Sequence, residues 1–143
     1  MKYFLPLLVV LTSIISSLAN TNIINDSWYT ELIKSPLNPP SYIFGIVWPI
    51  LYIIMAFVSF KVANKIVGIF ILQLILNAAW SWIFFFYQAP IIALIDIGIL
   101  IFLNHRILKI IQRESRFLFY LYLPYLLWLM FAAYLNASII WLN

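Results

Sequence analysis

The sequence predicts an all-α integral membrane protein, a bundle of five transmembrane helices with a short helical loop between helices 1 and 2. Hydrophobic residues make up 66% of the 143-residue chain, charged residues only 8%, and the mean hydropathy is +1.08. A soluble domain carries about 25% charged residues, so this chain has too few charged side chains to cover a protein surface exposed to water. The apolar residues also fall into runs of roughly 20, the length that crosses a bilayer.

The predicted spans cover residues 3–19, 43–60, 66–86, 91–111 and 117–141 of a single domain, 1–143. Each break between spans has a local cause. A polar stretch follows span 1, and three prolines, which interrupt helices, precede span 2. The remaining breaks are Lys61 to Lys65, Gln88-Ala89-Pro90, and Arg113 to Arg116.

Span 1 has an alternative interpretation. A lone Lys2, an apolar run and Ser17-Leu18-Ala19 also describe a cleavable signal peptide. Cleavage would leave four helices and an external amino terminus. The residues alone leave both interpretations open, although a retained span keeps Lys2 on the basic side.

Basic residues predict the orientation of the bundle. With five spans, one side of the membrane holds seven of them and the other holds only Lys34. The seven are Lys2, Lys61, Lys65, Arg106, Lys109, Arg113 and Arg116. Because Lys and Arg concentrate on the cytoplasmic side, we expect a cytoplasmic amino terminus in a bacterial cell membrane.

The composition argues against several classes of function. The chain has no cysteine, one histidine and four dispersed acidic residues, so neither a metal site nor a catalytic triad is predicted. The basic residues sit at helix ends and not on one soluble face, so no nucleic-acid binding is expected. The lipid bilayer is the predicted partner.

Polar and aromatic residues recur at helical spacing inside the spans. They form three stripes: Trp48, Tyr52 and Ala56 in span 2; Gln73, Asn77, Trp80, Ser81 and Phe84 in span 3; Tyr125, Trp128, Ala132 and Asn136 in span 5. Such faces could line a largely apolar small-molecule cavity, or they could simply pack against one another. The residues alone leave both open. For Asp96 and Asn136 we expect a structural polar role.

The segment between spans 1 and 2, residues 20–42, is predicted to be a lid or an interfacial anchor. Residues 27–34 could form a short helix capped by Asp26 or Ser27. Trp28, Tyr29 and Leu32 would give that helix an apolar face directed at the mouth of the bundle.

Taken in order, these residues resemble the TspO/MBR family, which includes the mitochondrial translocator protein. The resemblance covers nearly the whole chain. Its motifs are Ser27-Trp28-Tyr29, Asn38-Pro39-Pro40, Phe44-Gly45-Ile46-Val47-Trp48, Gln73-Leu74-Ile75-Leu76-Asn77, Trp80-Ser81, Ala93-Leu94-Ile95-Asp96, Pro124-Tyr125-Leu126-Leu127-Trp128 and Phe131-Ala132-Ala133-Tyr134-Leu135-Asn136.

The resemblance implies a retained span 1, a ligand cavity closed by the 1–2 loop, a homodimer, and the mitochondrial outer membrane as an alternative location. It implies binding of protoporphyrin-like tetrapyrroles and of isoquinoline or benzodiazepine-type ligands, without a required cofactor. By position the resemblance implies ligand contacts at Tyr29, Trp48, Asn77, Ser81, Trp128 and Ala132. Tyr52, Trp80 and Phe84 are added as ligand residues because a flat tetrapyrrole should bury well among aromatic side chains.

Sterol binding is not expected. Leu135-Asn136 is followed by seven residues without Lys or Arg, so the family's carboxy-terminal aromatic-then-basic motif is absent.

Three functions follow as hypotheses: a tetrapyrrole receptor or sensor, with transport of the ligand as an extension of that role, a light-dependent porphyrin-degrading activity, and a structural subunit without ligand. Trp48 and Trp128 are the candidate catalytic residues for the second. The sequence predicts no dedicated catalytic machinery.

Overall fold

The computed structural model describes residues 3–21 and 27–143. They form five α-helices and one π-helical segment. These are α1 (Phe4–Thr21), α2 (Ser27–Glu31), α3 (Ser41–Ser81), the π segment (Trp82–Phe86), α4 (Pro90–Glu114) and α5 (Arg116–Leu142).

Helix α3 contains two of the predicted spans, because it breaks at Val62 (φ −123°, ψ 23°) and folds back on itself. Tyr52 is hydrogen-bonded to Asn77, and Gln73 to Met55, so residues 41–61 and 63–81 run antiparallel as two arms. Pro49 lies inside the first arm, where the backbone stays helical. The break therefore occurs at the predicted boundary between spans 2 and 3, and not at the proline.

The helices alternate in direction. At one end of the bundle the ring of Tyr3 lies 5.6 Å from that of Phe60. Near the other end, Asn136 of α5 donates to the carbonyl of Pro90, at the start of α4. The exposed basic residues Lys61, Lys65, Arg106, Lys109, Arg113 and Arg116 are all on the helix halves at the first end. We call this the basic end and the other the lid end.

The surface of the bundle is apolar, and many of its polar side chains are buried inside. Large aliphatic and aromatic side chains are exposed on every long helix, including Ile53, Ile75, Ile95 and Leu127. Gln73 and Asn104 are fully buried. Such a surface is suited to lipid, where exposed apolar side chains carry no penalty.

Three described helices are long and apolar enough to cross a membrane: Ser41–Phe86, Pro90–Glu114 and Arg116–Leu142. Phe4–Ala19 is a shorter apolar helix. Since Ser41–Phe86 folds back at Val62, these helices together provide the five rods of the predicted bundle.

The turn before α4 lies between Gln88 and Pro90, as the sequence predicts. The amide of Tyr87 donates to the carbonyl of Trp82, five residues back, which ends the π segment. Gln88 adopts a positive φ of 53°, and Pro90 occupies the first turn of α4, where its missing N–H costs nothing.

The lid helix is shorter than predicted. It ends at Glu31 instead of Lys34, because the chain turns there toward the end of α5, where the Ile33 backbone is bonded to the Asn143 side chain. Lys2 and the proposed Asp26 cap lie outside the described residues, as do residues 22–26 of the predicted lid.

Candidate functional site

Both arms of α3 and helices α4 and α5 meet around a small internal cavity of about 10 Å³. Its lining residues are Trp48, Asn77, Trp80, Ile97, Leu100, Leu129 and Ala132. A space of this size admits about one water molecule, whereas small-molecule pockets measure roughly 300–1,000 Å³. The cavity in this structure is therefore too small for a drug-sized molecule.

Four predicted ligand residues, Trp48, Asn77, Trp80 and Ala132, line this cavity. Tyr52 lies beside them: its ring is 5.7 Å from that of Trp48, and its hydroxyl donates to Asn77 Oδ1 at 2.7 Å. The i, i+4 spacing of Trp48 and Tyr52 puts both on one face of the helix, as the sequence indicates.

Phe84 and Tyr29 belong to a second group, between the cavity and the lid. Phe84 is 2% exposed, and its ring stacks on Trp80 at 5.1 Å. Tyr29 meets Phe84 at 6.1 Å and Phe85 at 5.4 Å, and Trp28 meets Phe84 at 5.6 Å. A continuous aromatic path thus leads from the lid to the cavity wall.

Ser81 is buried next to Trp80 in the chain, and it is outside the cavity lining. Its place at the end of α3 puts it near the change to the π segment.

Trp128 packs its ring against Phe44 at 5.7 Å and Phe131 at 5.6 Å. Its indole Nε1 is buried and has no hydrogen-bond partner among the described residues. The same is true of Oδ2 of Asp96, whose side chain is 6% exposed. Unpaired buried polar atoms are rare, and they mark groups that a bound partner could satisfy.

Both ends of the Asn136 side-chain amide are hydrogen-bonded. Its Oδ1 accepts from Trp80 Nε1 at 3.0 Å, and its Nδ2 donates to the carbonyl of Pro90 at 2.9 Å. Asn136 thereby ties the cavity wall to the start of α4.

Below the cavity lies a buried hydrogen-bond network that the sequence reasoning did not identify as a unit. Gln73 Oε1 accepts from the Tyr125 hydroxyl at 2.8 Å and from Asn104 Nδ2 at 3.2 Å. Asn104 Oδ1 in turn accepts from the Tyr122 hydroxyl. The sequence analysis did not name Asn104 and Tyr122, although their helical spacing indicates an inward position. Asn104 is two turns after Asp96 on one face of α4, and Tyr122 is one turn before Tyr125 on α5.

The lid segment, residues 27–40, is fastened to the end of α5. Ser35 Oγ and the Tyr134 hydroxyl are 2.7 Å apart. The Ile33 amide donates to Asn143 Oδ1 at 3.0 Å, and Asn143 Nδ2 donates to the Ile33 carbonyl at 2.9 Å. Beside these contacts is an open groove of about 370 Å³, lined by Ser35, Pro36, Tyr134, Ala137, Ser138, Trp141 and Leu142.

The lid also contains an aromatic-cation contact. Lys34 Nζ lies 4.5 Å from the centre of the Tyr29 ring and donates to the Leu32 carbonyl at 3.2 Å. Burial raises the pKa of the Tyr29 hydroxyl, and its hydrogen bond with Asn38 partly opposes this. Desolvation lowers the pKa of Lys34. These contacts make the lid a packed element of the bundle.

Among the described residues, His, Asp and Glu do not gather in a group of three or more that could hold a metal ion. The cavity lining offers the aromatic faces of Trp48 and Trp80 and the Asn77 amide, whereas Asp96 and Trp128, with their unpaired atoms, lie outside that lining.

Comparison with known proteins places the chain. The sequence profile of the TspO/MBR family matches residues 4–142. The chain is 39% identical over 127 residues to the tryptophan-rich protein TspO of Chlorobaculum tepidum, and the aligned region covers 82% of this chain and 80% of that protein. It is 28% identical over 124 residues to the tryptophan-rich sensory protein of Cereibacter sphaeroides, with 82% and 78% covered. It is 30% identical over 122 residues to the translocator protein of Ovis aries, with 76% and 70% covered. The chain therefore belongs to the TspO/MBR family, a family of membrane proteins.

Proposed function

We propose that this chain is a membrane receptor or sensor that binds flat, hydrophobic ligands of the tetrapyrrole class in the cavity beneath the lid. The observation that carries the proposal is the convergence of Trp48, Trp80 and Asn77 on one cavity under an aromatic-lined lid. The family membership supports the sensor role, since relatives are named tryptophan-rich sensory protein and translocator protein.

Aromatic walls suit a flat π-system. The indole rings of Trp48 and Trp80 both border the cavity, and Phe84 extends the wall toward the lid. Each aromatic pair contributes about 0.5–1.5 kcal/mol beyond the burial of its area. Asn77 and Trp128 would orient the ligand by hydrogen bonds to its carbonyl or carboxylate groups.

Ligand entry needs an opening of the bundle. The cavity of about 10 Å³ must widen toward the several hundred Å³ that a drug-sized ligand occupies. The lid and the π segment, which meet through Tyr29 and Phe85, are the elements placed to move apart. Smaller isoquinoline or benzodiazepine-type ligands would need less widening, and movement of a ligand through this opening would be the basis of any transport.

A titration with protoporphyrin tests the proposal. Tryptophan fluorescence of the purified protein in detergent should be quenched saturably in the dark. We expect Trp48→Phe and Trp128→Phe to shift the midpoint to higher protoporphyrin concentration. Trp48 lines the cavity, and Trp128, outside the present lining, would donate its unpaired N–H to the ligand once the cavity widens. Trp141→Phe is the matched control, since Trp141 is 87% exposed. Quenching without saturation would contradict the proposal and would favour a structural subunit.

A second function, light-dependent porphyrin oxidation, is favoured by the unpaired indole of Trp128. An excited porphyrin would take one electron from the indole, giving a tryptophan radical cation and a porphyrin radical anion. Dioxygen from air would add to the porphyrin radical anion, and return of one electron from this adduct to the tryptophan radical cation would leave an oxygenated porphyrin and the original indole. Illumination of the complex in air should yield a photoproduct that Trp48→Phe or Trp128→Phe abolishes while most binding remains. An unchanged photoproduct yield in both variants would refute the indole role.

We also propose that the basic end faces the cytoplasm. Six exposed basic residues lie at that end, while Lys34 is at the lid end. The cavity and its lid would then open toward the outer side of the membrane.

A further inference from the structure

The Asn77 side chain is the amide among the residues that line the cavity, and it is held from behind. Its Nδ2 donates to the Tyr125 hydroxyl at 2.8 Å, while its Oδ1 accepts from the Tyr52 hydroxyl at 2.7 Å. Asn77 is 4% exposed. Which end of the amide is the donor decides what a ligand can bond, so whatever fixes this orientation also fixes the selectivity of the cavity.

The orientation of Asn77 follows from Tyr125. A hydroxyl has one proton, and Tyr125 donates it to Gln73 Oε1 at 2.8 Å. Toward Asn77 the Tyr125 oxygen can therefore only accept. Asn77 must present its NH₂ group to Tyr125 and its carbonyl oxygen to Tyr52.

The orientation of the Gln73 side-chain amide is fixed in the same manner. Its Oε1 accepts a second hydrogen bond from Asn104 Nδ2 at 3.2 Å, and its own Nε2 faces the sulfur of Met55 at 3.7 Å. Turning the Gln73 amide over would place two NH₂ groups against each other. Asn104 thus decides the orientation of Gln73.

The orientation of the Asn104 amide is fixed by a backbone carbonyl, which can only accept. Its Nδ2 donates to the backbone carbonyl of Leu100 at 2.9 Å. A backbone carbonyl is always an acceptor, so Asn104 must keep its NH₂ group on this side. Gln73, Asn104 and Tyr125 are all fully buried, so solvent does not compete for these bonds.

We propose that Gln73, Asn104 and Tyr125 are positioning residues that set the hydrogen-bond polarity of the cavity, by passing the direction fixed at the Leu100 carbonyl to the Asn77 amide. We call this chain of bonds the relay. The inference rests on the proposed function, because it concerns ligand recognition by the same cavity. It assigns the ligand an acceptor group that would bond the second N–H of the Asn77 amide.

The relay can be separated from a general packing role by a double-mutant cycle. The probe is protoporphyrin, titrated in the dark by tryptophan quenching. Gln73→Met keeps the side-chain length and removes both acceptor and donor. The fixed Asn77 amide gives the acceptor group of the ligand one hydrogen bond. We therefore expect the affinity for protoporphyrin to fall roughly tenfold when Gln73 no longer fixes that amide. In an Asn77→Leu background the same change should have no further effect, because the relay acts only through Asn77.

Two further variants keep the test decisive. Tyr125→Phe cuts the relay with little change in volume, and it replaces Gln73→Met if that variant does not fold. Tyr122→Phe is the control: it removes the bond to Asn104 Oδ1 and leaves the bond to the Leu100 carbonyl intact. We expect less than a twofold change in affinity for Tyr122→Phe. Additive losses of affinity in the Asn77→Leu background would overturn the relay.

A ligand-free measurement distinguishes failure of the relay from failure of the proposed function. Absence of saturable protoporphyrin binding by the unchanged protein would defeat the proposed function alone. The relay is then judged by the side-chain amide resonances of Asn77 in protein labelled with ¹⁵N-asparagine. These should move in Gln73→Met and Tyr125→Phe and stay in place in Tyr122→Phe. Unmoved resonances in the first two variants would overturn the relay.

Discussion

The hydroxyl of Tyr134 lies 2.7 Å from Ser35 Oγ, and this pair fastens the lid to α5 across 99 residues of sequence. Ser35 is buried although it belongs to a connecting segment, and its Oγ also accepts from the Leu37 amide at 3.2 Å. One hydroxyl thus organises the turn of the lid and its attachment at once. The lid is therefore attached to α5 at a specific point, and it is not a loose loop.

Loosening this fastening should speed ligand exchange. Tyr134→Phe removes the bond to Ser35 and keeps the ring that stacks on Phe131 at 6.2 Å. A hydrogen bond of this kind is worth about 1 kcal/mol, so the association rate of protoporphyrin should rise about fivefold in stopped-flow quenching. Tyr120→Phe, an exposed site on α5 near the basic end, is the control. Equal rates in Tyr134→Phe and the unchanged protein would show that the lid does not limit entry.

The aromatic contact beneath the lid should dominate local stability. Phe84 is 2% exposed and touches the rings of Trp28, Tyr29 and Trp80. Phe84→Ala should lower the free energy of unfolding by about 3–5 kcal/mol, because it leaves a cavity among these rings. Thermal unfolding in detergent measures the change. Phe86→Ala, two residues on and 49% exposed, should cost far less, and equal losses for the two variants would contradict this packing.

The orientation can be tested with single cysteines, since the chain has none of its own. Glu31→Cys lies on the lid and Glu114→Cys at the end of α4, and both positions are exposed. In intact cells a membrane-impermeant maleimide should label residue 31 and spare residue 114. Inverted vesicles should give the opposite result. Labelling of residue 114 from outside would reverse the predicted topology.

Much of the fold could be predicted because hydropathy acts over one helix at a time. Each predicted span overlaps one helix or one arm of α3. The break at Val62 could not be located to the residue, because it arises where Lys61 and Lys65 reach the end of the bundle and not from a helix-breaking residue. Pro49, the obvious candidate for a kink, remains in a helical backbone.

The candidate site was predictable in part for a similar reason. The helical spacing of Trp48, Asn77, Trp80 and Ala132 puts each on an inward face, and all four line the cavity. Long-range partners leave no such trace in sequence. Asn104 joins Gln73 only because α4 packs against α3, and Ile33 joins Asn143 only because the lid lies against the end of α5. The cavity's ligand remains a prediction from the family resemblance.

The most direct test of a ligand cavity beneath the lid is to lock the lid shut. Ile33 and Asn143 are hydrogen-bonded neighbours at the closed edge, so Ile33→Cys with Asn143→Cys can be joined by a short, reducible bifunctional thiol reagent. We predict that the cross-linked protein loses saturable protoporphyrin quenching and regains it on reduction. Cross-linked protein that binds protoporphyrin with unchanged rate and affinity would place the ligand outside the lid and contradict the account.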